Sequence, residues 1–138
     1  MTNNPKLLDL NQQETLLNTI TEPRDLALIL CLLESDLYVQ EVIEIKIEHL
    51  DLSKQHITIE GKRPRILQLS DRATKALIEW IKTRHKSHYP EVFIALQDPY
   101  DPLSASGINY TLKKWGDNPE YMAYRERTSA FVCWPPRA

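Results

Sequence analysis

Apolar positions along the first third of the chain recur at helical spacing. Leu16, Leu17 and Ile20 form one stripe, which predicts a short helix from Asn11 to Ile20. Asn11 is placed to cap it, and Glu14 stands three residues later in a capping-box position. Thr21-Glu22-Pro23 starts a second helix, because proline is tolerated at the first helical position. That helix runs from about Arg24 to Glu34 and is apolar nearly all round from Leu26 to Leu33, which predicts a central place in the core. Ser35-Asp36 breaks it. Val39, Val42 and Ile43 then predict a third, short helix from about Val39 to Ile45.

The period changes after residue 55. Ile57-Thr58-Ile59 and Ile66-Leu67-Gln68-Leu69 are β-rich runs on either side of Gly61-Lys62-Arg63-Pro64-Arg65, a pattern that predicts a hairpin with a basic turn. His49-Leu50-Asp51-Leu52 is placed to add a third strand. Ser70 caps a helix from Asp71 to about Arg84, whose Ala73, Ala76, Leu77, Trp80 and Ile81 share one face. Val92-Phe93-Ile94 reads as a short strand after Pro90. Ser104 caps a last helix that reaches about Trp115, and Gly116-Asp117-Asn118-Pro119 stops it. The expected architecture is α+β, mainly helical with a small antiparallel β-sheet. Residues 1–9 form a lead-in, 10–115 the core, and 116–138 a tail without clear periodicity.

The 138 residues fit one domain, and 42% apolar against 26% charged residues is an ordinary globular mix. No apolar run approaches the roughly 20 residues that span a bilayer. The first residues lack a signal-peptide pattern, so no membrane association is expected. Cys31 lies in an apolar run and Cys133 in the tail. Two such distant cysteines predict no disulfide framework and a reducing, cytoplasmic setting.

Net charge is -2, but it is unevenly spread. Residues 1–60 hold 4 Lys and Arg against 11 Asp and Glu, whereas residues 61–138 hold 13 against 8. This permits one positive face, although scattered solvating charge gives the same count. Basic residues cluster at Lys62, Arg63 and Arg65, at Lys82, Arg84 and Lys86, and at Lys113 and Lys114. Such side chains neutralise phosphates and release counterions, so DNA is the expected partner. His85 and His88 have a spacing that zinc can use, but no Cys or third carboxylate stands near, and a polar helix end is the reading preferred. With three glycines and no P-loop, GxGxxG or G-x-S-x-G motif, neither metal nor cofactor is expected.

The order of elements, together with several motifs, resembles the first part of the catalytic domain of the tyrosine recombinases, the phage integrase family. The likeness runs from about Leu10 to Trp115. It is carried by Asp25-Leu26-Ala27-Leu28, Leu37-Tyr38-Val39-Gln40-Glu41-Val42 and Leu50-Asp51-Leu52. Gly61-Lys62 and Ile66-Leu67-Gln68-Leu69-Ser70 extend it. The corresponding family patterns are D-x-A-L, T-G-L-R-x-S-E-L, L-x-x-x-D-L-D, a G-K turn and V-P-L-S.

The resemblance implies transesterification of a DNA phosphodiester through a phosphotyrosine, with arginines stabilising charge on the phosphate. Residue by residue, the family's first arginine falls on Tyr38 and its neighbouring glycine on Asp36. Glu41 matches the family glutamate, and Lys62 matches the hairpin lysine that protonates the leaving oxygen. The H-x-L-R-H motif is expected after the Trp115 helix, where Arg125 stands without a framing histidine. Tyr121 and Tyr124 come too early to be the nucleophile, which would fall past residue 138. The expectation is therefore a truncated, catalytically disabled recombinase relative. It would bind DNA through Lys62, Arg63, Arg65, Lys113 and Lys114. The alternatives are a protein-interaction module that pairs with itself or with a related recombinase, and an enzyme completed in trans.

Overall fold

Helix α2 (Pro23–Glu34) forms the centre of the structure. In this computed structural model, which describes residues 10–35 and 37–116, Ala27, Leu28, Ile29 and Cys31 of α2 are fully buried. Pro23 opens the helix, and the Glu22 side chain accepts a hydrogen bond from the Arg24 N–H at 3.1 Å. The face predicted to be central therefore is central.

Helix α1 (Leu10–Thr19) begins one residue before its expected cap, so Asn11 belongs to the helix rather than capping it. Helix α3 (Val39–Glu44) buries Val39 and Val42. A single 3-10 turn, Ile47–His49, leads into strand β1 (Leu50–Asp51). Strands β2 (His56–Ile59) and β3 (Arg65–Gln68) complete an antiparallel sheet in the order β1-β2-β3. Helix α4 (Asp71–Thr83) starts where the Ser70 hydroxyl accepts from the Ala73 N–H at 3.1 Å. It packs chiefly on α2 through Ala73, Ala76, Leu77 and Trp80. Helix α5 (Ala105–Gly116) packs on α1 and α3.

The sheet register explains which side chains face inward. Ile57 and Ile59 are buried while Thr58 is exposed, as strand alternation requires. Residues paired across an antiparallel ladder share a face. Arg65 pairs with Ile59, so it shares the core-facing side, whereas Ile66 pairs with Thr58 and lies exposed.

Two further expectations shift. Val92-Phe93-Ile94 is buried but forms no strand. Its backbone is satisfied by loops on several sides, with Val92 N–H on the Ile45 carbonyl at 2.9 Å and the Phe93 carbonyl accepting from Leu103 N–H at 3.0 Å. The last helix includes Gly116, which is buried. Asp36 and the predicted tail from residue 117 onward lie outside the described residues.

A buried polar network ties α2 to α5. Asp25, 1% exposed, accepts from Trp115 Nε1 at 2.8 Å and from Arg24 Nε at 2.9 Å. Arg24 also donates to the Ile94 carbonyl at 3.2 Å. Each charge thus has a partner, which buried charges require.

Candidate nucleic-acid interface

Five of the residues singled out from sequence converge where the hairpin turn meets the start of α3. The turn spans residues 60–64, and Gly61 adopts φ +105°, a backbone conformation that only glycine takes without strain. An added Cβ there would meet nothing nearer than Glu44 Oε1 at 4.0 Å, so the requirement is conformational. Lys62 follows as an exposed residue of the turn. Arg63 and Arg65 both reach Glu41 on α3.

Arg65 grips Glu41 with two prongs, Nη1 to Oε2 at 2.8 Å and Nη2 to Oε1 at 3.0 Å. It also donates to the Arg63 carbonyl at 2.7 Å. Arg63 Nη2 lies 3.4 Å from Glu41 Oε1. The Tyr38 N–H completes the set at 3.0 Å from Oε1. These donors, Arg65 first and then the Tyr38 N–H, bring the Glu41 carboxyl down to about 2, against the opposing effect of burial.

Tyr38 itself is 54% exposed at the N-terminal boundary of α3. The guanidinium of Arg63 lies over its ring, 4.3 Å from the centroid. This is a cation–π distance. The turn is thus held to α3 both by a carboxylate clamp and by an aromatic platform.

Lys113 and Lys114 belong to a different element, the last turn of α5, and both are exposed. Lys114 Nζ lies 5.1 Å from the Trp115 ring centroid. The third basic cluster has a different use. Arg84 turns inward and donates to the Tyr89 and Glu91 carbonyls, each at 2.7 Å, pinning the loop after α4. His85 stacks on Tyr100 at 3.8 Å, and among the described residues no group of three His, Cys, Asp or Glu side chains is arranged to hold a metal.

A cavity of about 410 Å³ opens between α3 and the hairpin, lined by Glu41, Glu44, Glu60, Glu91, Lys46 and His49 among others. The Lys46 N–H donates to His49 Nδ1 at 3.0 Å, so the ring proton is on Nε2, 3.2 Å from Glu60. Four carboxylates against one lysine make this cavity unsuited to phosphate.

A family model described as "Phage integrase family" matches residues 6–128. The chain belongs to the phage integrase family. Within that family it is 27% identical over 114 residues to the tyrosine recombinase XerC of Caldanaerobacter subterraneus subsp. tengcongensis, covering 80% of this chain and 32% of that protein. The XerC of Actinobacillus pleuropneumoniae serotype 7 is 28% identical over 119 residues, covering 82% and 39%. The chain therefore spans between about a third and two fifths of the length of these relatives.

Solved structures share the fold. The XerA recombinase superposes with a TM-score of 0.76 at 18% identity, covering 86% of this chain and 44% of that one. The integrase of transposon Tn1549, solved in complex with a circular intermediate DNA, gives 0.66 at 17% identity, covering 86% and 48%. Among the described residues no helix is long and apolar enough to cross a membrane.

Some of the site was not legible in advance. Glu41 matched a family position, but nothing local announced it as the anchor for both hairpin arginines. The available signal was strand parity, since Arg65 lies opposite Ile59 and so shares its inward face.

Proposed function

We propose that this chain binds duplex DNA through the basic hairpin turn, with Lys62 and Arg63 toward the duplex and Arg65 fastening the turn to Glu41, and through Lys113 and Lys114 of α5, without cutting it. Position 38 carries the second half of this reading. The family pattern has an arginine there, whereas here an exposed neutral ring lies under Arg63. A tyrosine lacks the fixed charge and paired donors with which a guanidinium holds phosphate oxygens. Losing one such contact costs about 3 kcal/mol of transition-state stabilisation. DNA affinity is expected at low salt and should fall steeply as salt rises. Incubation with a nicked suicide substrate should give no covalent protein–DNA adduct, and an adduct would overturn the inactive reading.

A second reading is association with another copy of the chain or with a related recombinase. An open groove of about 430 Å³ between α1, α2 and α4, walled by Leu17, Leu26, Leu30 and Ala76, favours it. Light scattering that finds only monomers would count against self-association.

A further inference from the structure

We propose that the free edge of β3 pairs with the same edge of a second copy of this chain, extending the sheet across a two-fold axis. The inference rests on the self-association reading above and assigns it to a different surface from the groove. β3 is an outer strand, since the sheet order is β1-β2-β3 and, among the described residues, no strand lies beyond it. The Leu69 N–H donates to the Gln55 carbonyl at 2.7 Å, and the same register pairs Ile57 with Leu67 and Ile59 with Arg65. Hydrogen-bonding direction alternates along an antiparallel ladder. The N–H and C=O groups of Ile66 and Gln68 therefore point away from β2, toward the open edge.

Natural sheets guard such edges with charged side chains, prolines or bulges. This edge has little of that protection. The charged residue of β3, Arg65, turns to the core-facing side and ends on Glu41. Pro64 precedes the strand rather than interrupting it. The outer face carries Ile66, 64% exposed, beside Thr58 and Gln68. A free edge with an exposed isoleucine is a template for another strand.

A second copy fits because the edge is its own complement. Centred on Leu67, Ile66 of each copy meets Gln68 of the other, and every outward group within the strand is used. Centred on Ile66, Gln68 would meet Pro64, which has no N–H. Centred on Gln68, Ile66 would meet Ser70, which already caps α4. Strand length and Pro64 thus select the first register. That register also sets the two Ile66 side chains diagonally across the axis on the outer face, within reach of each other. No charged side chain opposes its own copy there. Two-fold pairing uses both β3 edges, so the assembly closes as a dimer.

Strands this short bury little surface, so the association is weak. Sedimentation velocity of the full chain from about 10 µM to about 1 mM should show monomer passing to dimer and nothing larger. Ile66→Lys puts like charges across the axis and should weaken the dimer at least about tenfold. Gln68→Pro removes an outward N–H, leaves the ladder to β2 intact and should weaken it too. Unchanged urea midpoints should show that both variants fold. In a Cys133→Ser background, an equimolar mixture of Ile66→Cys and Gln68→Cys chains should cross-link under oxidation more than either alone, because the unlike positions stand opposite each other. If wild type dimerises and folded Ile66→Lys dimerises equally well, the edge is not the contact and self-association belongs to another surface. If wild type stays monomeric throughout, both readings fall. Oligomers larger than a dimer would overturn the closed two-fold.

Discussion

Glu41 is a single carboxylate that joins two elements, because the Arg65 fork and the Tyr38 N–H both end on it. It is 13% exposed, so removing its charge takes an ionic partner from Arg63 and Arg65 in a partly dry place. Glu41→Gln should destabilise the fold by about 1–2 kcal/mol in urea unfolding at neutral pH. The pH dependence follows from the depressed carboxyl. Its contribution is complete above about 4.5, where the unfolded chain ionises, and is lost as pH falls through about 2. The gap between wild type and Glu41→Gln should close over that window, and a gap that persists at pH 2 would refute the clamp. Cys31 makes the opposite case at the same scale. Burial pushes its thiol up to about 12. In a Cys133→Ser background, thiol reagents should leave native Cys31 unmodified and label it on unfolding. Rapid labelling of the native protein would contradict its buried position.

Two devices hold elements in place. Gly61 lets the hairpin turn sharply enough to bring Arg63 and Arg65 back over α3. Gly61→Val should cost about 1–3 kcal/mol, read as a lower urea midpoint, because φ +105° is strained for a β-branched residue. The Asp25 network fixes α5 to α2. Asp25→Ala should cost about 3 kcal/mol, since it leaves Arg24 and the Trp115 N–H without their buried acceptor. A change under about 0.5 kcal/mol would show the network to be dispensable. The helices were legible in the sequence because an apolar stripe is a local record of one buried face. Trp80 and Leu77 on α4 announce their packing without reference to anything distant. Val92-Phe93-Ile94 reads as a strand in the sequence but forms none, because its apolar run records burial only. The partners that satisfy its backbone, Ile45 and Leu103, belong to segments that local pattern does not reveal.

For the whole molecule, the uneven charge has a spatial meaning at the hairpin. Glu41, from the acidic half of the sequence, meets the arginines of the basic turn and also lines the carboxylate-rich cavity beside the hairpin. Binding should thus be salt-limited, and Lys113→Ala and Lys114→Ala should each reduce the salt slope by about 1 if both reach phosphates. An unchanged slope in both would remove α5 from the interface. The sequence by itself determined the helices, the hairpin, the family likeness and the tyrosine at position 38. Each is a property of residue type and of spacing within one segment. Only the tertiary structure decided that Arg65 is a fastener, that Arg84 pins a loop, and that Arg63 lies on the Tyr38 ring. Those roles depend on which residue stands opposite. The Arg65–Glu41 pair is 24 residues apart in the chain, and its meeting follows from the sheet register and the packing of α3 against the core.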